Sequence, residues 1–144
     1  MTRRSLFAVF LAPFLLNACA SGPTLTEISG KIPPIPDKES RIWFYRSSSP
    51  VGAALQPTIY LNGKPVGQSI PGGFFFVDTS PGPCVVSTST EVERHLTFDA
   101  PARGQSYVKT SITFGVLVGH VYPELVDPGA GQKAIGSLHF TGTL

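Results

Sequence analysis

The sequence predicts an all-β domain, a small antiparallel β-sandwich of about seven strands. Three observations point that way. Short runs of alternating apolar and polar residues recur between residues 41 and 114. Gly (15) and Pro (14) make up about a fifth of the 144 residues and cluster between those runs, as turns require. No sustained helical period occurs among the runs, which disfavours a parallel α/β sheet. Apolar residues at 42% suffice for one core, and a chain of this length holds one domain.

Arg41–Arg46 (RIWFYR) is the first strand, with Ile42 and Phe44 on one face and Trp43 and Tyr45 on the other. Aromatics on both faces imply a central strand or a covered outer face. Thr58–Leu61 runs into Asn62-Gly63, whose residues tolerate the two positive φ angles of a type I′ hairpin turn. Lys64–Ile70 returns, and Pro65 marks it as an edge. After Pro71-Gly72-Gly73 comes Phe74–Asp78, and after Ser80-Pro81-Gly82 comes Cys84–Thr90. His95–Asp99 directs Leu96 and Phe98 inward. Tyr107–Phe114 directs Val108, Thr110, Ile112 and Phe114 inward. Beyond it, Val116-Leu117-Val118 is apolar, and 115–127 reads as a docking loop or a lid on one end of the sandwich. Asp127-Pro128 offers an N-cap and first position for a short helix, which Gly129 and Gly131 weaken. Residues 128–144 read as a tail.

The N-terminus has a different character. Arg3 and Arg4 precede an apolar run, Leu6–Leu16, of about eleven residues, too short for a bilayer core that needs about twenty. It fits the hydrophobic region of an export signal. The run ends in Leu16-Asn17-Ala18-Cys19, which resembles the lipobox of bacterial lipoproteins. That resemblance implies a diacylglycerol on the Cys19 thiol, cleavage after residue 18 and acylation of the new amine. The alternatives are an ordinary cleaved signal with Cys19 as a bystander, or an uncleaved apolar helix. Ala20, not Asp, follows Cys19, which by resemblance to the enterobacterial sorting rule favours the outer membrane. Residues 20–40 are rich in Ser, Gly, Thr and Pro and are expected to be a flexible linker, reaching on the order of 65 Å if extended. The expected organisation is a signal peptide (1–18), lipidated Cys19 with its linker (19–40), the sandwich (41–127) and the tail (128–144).

Cutting 18 residues from 144 leaves 126, with nine basic against nine acidic side chains. A neutral exported chain excludes nucleic acid as a partner. With Cys19 acylated, Cys84 has no partner for an internal disulfide. It reads as a small buried hydrophobe, with a reactive thiol or an intermolecular bridge as alternatives.

Ile59-Tyr60-Leu61-Asn62-Gly63-Lys64-Pro65-Val66-Gly67, Gly72-Gly73-Phe74-Phe75, Pro81-Gly82 and Gly119-His120-Val121-Tyr122-Pro123-Glu124-Leu125 resemble the bacterial lipoprotein domain of unknown function 2846 (DUF2846) over about 41–127. PEGA-type envelope β-modules share a looser likeness in the hairpin. Cys84 departs from the DUF2846 pattern. The resemblance implies a small envelope β-domain and carries no mechanism.

No catalytic, metal or cofactor motif is expected. His95, His120 and His139 lack zinc-site spacing, no G-x-S-x-G occurs, and Gly72-Gly73 precedes a strand, where a phosphate cradle would precede a helix. Glu91 and Glu93 read as a solvated face. The many aromatics suggest binding, and the candidate surface comprises Trp43, Tyr60, Phe75, His120, Tyr122 and Glu124. The expected function is a membrane-anchored, noncatalytic envelope lipoprotein. Its partners are the membrane, through lipid on Cys19, and an envelope protein or glycan. A structural or stress-related lipoprotein is a further reading. An envelope hydrolase acting on cell-wall glycan or lipid is the alternative, with His120 and Glu124 or Glu91 as acid and base. The expected location is the cell envelope, at the outer membrane facing the periplasm.

Overall fold

Two sheets face each other in the computed structural model, which describes residues 19–90, 94–114 and 119–144. The strands are β1 (Ser40–Tyr45), β2 (Thr58–Leu61), β3 (Lys64–Gln68), β4 (Gly73–Thr79), β5 (Gly82–Thr88), β6 (His95–Ala100), β7 (Gln105–Phe114), β8 (Gly119–Val126) and β9 (His139–Phe140). A five-stranded sheet has the order β8-β7-β1-β4-β9, and a four-stranded sheet the order β3-β2-β5-β6. The expected signal peptide (1–18), Glu91, Glu93 and Val116-Leu117-Val118 lie outside the described residues.

The β2–β3 hairpin turns on Asn62 (φ 50°) and Gly63 (φ 78°), the left-handed pair of a type I′ turn. Asn62 also bonds the neighbouring strand: its N–H donates to Val85 O, and its Oδ1 accepts from Val85 N–H, both at 2.8 Å. The β4–β5 turn carries the chain from one sheet to the other. Pairing is antiparallel except for β1 with β7 and β4 with β9, which are parallel. Such pairs form only between strands distant in sequence, so local turn signals do not announce them.

The inner faces interlock through Ile42, Phe44, Phe75 and Val108 against Ile59, Cys84 and Val86, all buried. Phe44 and Phe75 stack at 5.1 Å. Strand β1 is buried along its whole length, because the outer face of the five-stranded sheet is covered too. On that face Trp43 lies beside Phe74, Phe76 and Tyr107 with ring centroids 5.0–6.2 Å apart.

The cover comes from segments expected to be peripheral. Helix α1 (Leu25–Ile28), the 3₁₀ turn Ser29–Lys31 and helix α2 (Pro128–Ile135) bury Ile28 and Ile135. Asp127 caps α2 by accepting from Ala130 N–H, with Pro128 in its first turn. Gly131 is the residue that permits the packing, since a Cβ there would strike the Tyr107 ring.

The expected flexible linker is therefore docked. Ala20 N–H donates to Pro71 O at 2.9 Å, Phe140 N–H to Pro23 O at 2.7 Å, and Arg41 Nη1 to Pro33 O at 2.9 Å. The expected tail supplies β9, and Leu138 and Phe140 join the core. Both corrections have one cause: an apolar outer face on the five-stranded sheet has to be covered. The docking loop or lid expected over 115–127 contains a strand, β8, at a sheet edge where Pro123 needs no ladder donor. Phe114, expected inward, is 59% exposed, because β7 runs past the end of β1.

Candidate functional site

Antiparallel pairing of β7 with β8 sets Thr113 opposite His120, Ser111 opposite Tyr122 and Lys109 opposite Glu124. Directly opposed residues share a face, so these six form one polar strip. It lies on the outer face of the five-stranded sheet, beyond the part covered by α2. Lys109 Nζ lies 3.5 Å from Glu124 Oε1, and the Ser111 hydroxyl donates to the same oxygen at 3.3 Å. Tyr45 lies opposite Lys109 on β1. Burial, then the charge of Glu124, pushes the Tyr45 phenol above its usual value, so it stays protonated well into the alkaline range. Nδ1 of His120 is buried and has no hydrogen-bond partner among the described residues.

The strip thus unites three of the six candidate binding residues: His120, Tyr122 and Glu124. The other three lie elsewhere. Trp43 shares the face but is buried, its indole N–H donating to Gln105 Oε1 at 2.7 Å. Phe75 is an inner-core residue against Phe44 and Gly67. Tyr60 is half-buried on the outer face of the four-stranded sheet, since its neighbours Ile59 and Leu61 point inward. His120 and Glu124 are four residues apart on one strand, which separates their Cα atoms by roughly 13 Å. The other two histidines lie on β6 and β9.

The end of the sandwich at the close of β1 carries the second cluster. Arg46 is buried, and its guanidinium donates to Leu55 O (2.6 Å), Ser69 O (3.0 Å) and Gly52 O (2.8 Å). Burial lowers its pKa. Cys19 itself is exposed, whereas Cys84 is buried on the inner face and its thiol is pushed up by that burial. A cleft of about 220 Å³ at this end is lined by Arg46, Ser49, Val51, Lys109, Ser111 and Phe114, among others. Sequence patterning missed Lys109, Ser111 and Arg46. Their roles arise from strand pairing and loop closure across the fold, and nothing local marks them. No helix among the described residues is long and apolar enough to cross a membrane.

Comparison with known proteins gives two matches. A family model described as "Protein of unknown function (DUF2846)" matches residues 36–123. An uncharacterized protein of Haemophilus influenzae is 32% identical over 142 residues, covering 95% of this chain and 82% of the relative. No solved structure matches the chain.

Proposed function

This chain belongs to the DUF2846 family of proteins of unknown function, and from that premise we propose that it is a lipid-anchored, noncatalytic lipoprotein of the bacterial envelope. The signal is residues 1–18, the acyl chains sit on Cys19, and the β-body is a binding or structural module at the outer membrane, facing the periplasm. One observation carries the reading. Cys19, the residue the lipobox-like Leu16-Asn17-Ala18-Cys19 singles out, is exposed and immediately precedes the docked Ala20. A thiol there is free to accept a lipid without disturbing the core, and two or more acyl chains suffice for stable anchoring.

The contact surface for an envelope protein or glycan is the His120, Tyr122 and Glu124 strip. It offers an imidazole, an aromatic ring and a carboxylate on one exposed edge strand, a donor and acceptor set suited to polyhydroxylated or peptide ligands. The hydrolase alternative draws no support from the separation of His120 and Glu124 along β8.

Intact mass spectrometry of the membrane fraction tests the anchor. A chain beginning at Cys19 with acyl mass added is expected, and Cys19→Ser should move the protein out of the membrane fraction. A chain intact from Met1, or a trimmed chain without acyl mass, overturns the reading.

A further inference from the structure

The strand directions place Cys19 at a defined end of the sandwich. Strand β4 is antiparallel to β1, so its start at Gly73 and Phe74 lies beside Tyr45, where β1 ends. Ala20 is bonded to Pro71 just before it, and Gly72 N–H donates to Arg46 O at 3.0 Å. Strand β7 is parallel to β1, so its C-terminal end lies at the same end. Its last β1 partner is Lys109, opposite Tyr45, and Thr110–Phe114 continues for roughly 16 Å beyond. The loop that follows β1 closes against this projection, because a Cβ on Gly52 would strike Ile112 and lie 3.5 Å from the Phe114 ring.

Two large apolar side chains protrude here, Val51 at 58% and Phe114 at 59% exposure. They flank the cleft lined by Arg46, Lys109 and the hydroxyls of Ser47, Ser49 and Ser111. Among the described residues no acidic side chain lines that cleft, although Glu124 holds Lys109 at 3.5 Å. Apolar tips beside a lysine and hydroxyls match the boundary between acyl chains and polar headgroups.

We propose that this end of the sandwich is a second membrane contact, with Val51 and Phe114 seated in the lipid interface beside the anchor and the cleft over the headgroups. The proposal rests on the lipidated reading above. Only Cys19 separates the acyl chains from the hydrogen bond of Ala20, and one residue reaches at most about 3.6 Å. The body is then held against the bilayer by this end, not suspended from it. The polar strip faces sideways along the membrane, and the β4–β5 turn points away.

The test uses the acylated full chain, its lipid verified by intact mass, bound to vesicles of phosphatidylethanolamine and phosphatidylglycerol with and without brominated acyl chains. Phe114→Trp reports on the proposed contact. Ser80→Trp reports on the exposed turn at the opposite end. The unsubstituted chain supplies the background of buried Trp43. The F114W emission is expected to fall about twofold with brominated lipid, as for a side chain in the interface, and the S80W emission to stay unchanged. If acylated F114W binds vesicles but is not quenched, the membrane contact is wrong while the anchor stands. Equal quenching of both reporters, or a concentration-dependent dimer that shields F114W, also overturns it. A chain without acyl mass removes the anchor and this proposal together.

Discussion

The two sheets bury their strands differently. In the four-stranded sheet, β5 alternates, with Cys84, Val86 and Thr88 buried and Val85 exposed. In the five-stranded sheet, β1 buries every residue from Ser40 to Tyr45. One sheet has a wet outer face, and the other is roofed by α1, α2 and the chain leading into β1. The difference teaches where this fold stores its stability. The core has two layers, and the second, around Trp43, is closed by the N- and C-terminal segments. The parallel pairing of β1 with β7 agrees, since parallel strands are found where both faces are covered.

The sharpest way to break that comparison is to truncate one aromatic on each outer face. Trp43→Ala should cost about 3–5 kcal/mol, the range for a large buried aromatic, measured by urea denaturation. Tyr60→Ala, on the wet face, should cost under about 1 kcal/mol. Equal losses would mean that the roof contributes nothing.

Arg41 sharpens the same point. Its guanidinium forks onto Asp78 with two bonds of 2.7 Å, lies 4.2 Å from the Phe76 ring centroid and donates to Pro33 O. It joins β1, β4 and the N-terminal segment under the roof. Arg41→Ala should cost about 3 kcal/mol, because Asp78 is left poorly solvated and unpaired. It should also speed proteolysis between residues 20 and 40, whereas Tyr60→Ala should not.

The smallest effect is a pH effect. Burial raises the phenol pKa of both Tyr45 and Tyr107 above the ordinary 10.0. The fold therefore favours the neutral phenols. Their contribution is fully present below pH 10.0 and is lost as the pH rises through the raised values. Thermal unfolding should be insensitive to these groups at neutral pH and shift downward in alkali. Tyr107→Phe should blunt that shift, and an unchanged alkaline profile would count against burial of this ring.

Much of the fold was legible locally. Asn62-Gly63, the Pro-Gly turns and the alternation in β5 and β7 announce their own conformations, because those preferences arise within a few residues. The site was less so. His120, Tyr122 and Glu124 share a face through the period of two, but Pro123 disguised the strand that carries them. Phe75 and Trp43 read as surface candidates, since three phenylalanines in a row cannot reveal which faces will be covered.

By itself, the amino-acid order determined the all-β class, the hairpin turns and the isolation of Cys19 after a short apolar run, all of which depend on neighbours in the chain. Only the tertiary structure decided that residues 20–40 are docked, that His139–Phe140 joins the sheet beside β4, and that Cys19 stands at the same end as Val51 and Phe114. The physical reason is that apolar surface is covered by whatever lies nearest in space. Nearness between residues more than a hundred positions apart, such as Gly22 and His139, exists only once the sheets have formed.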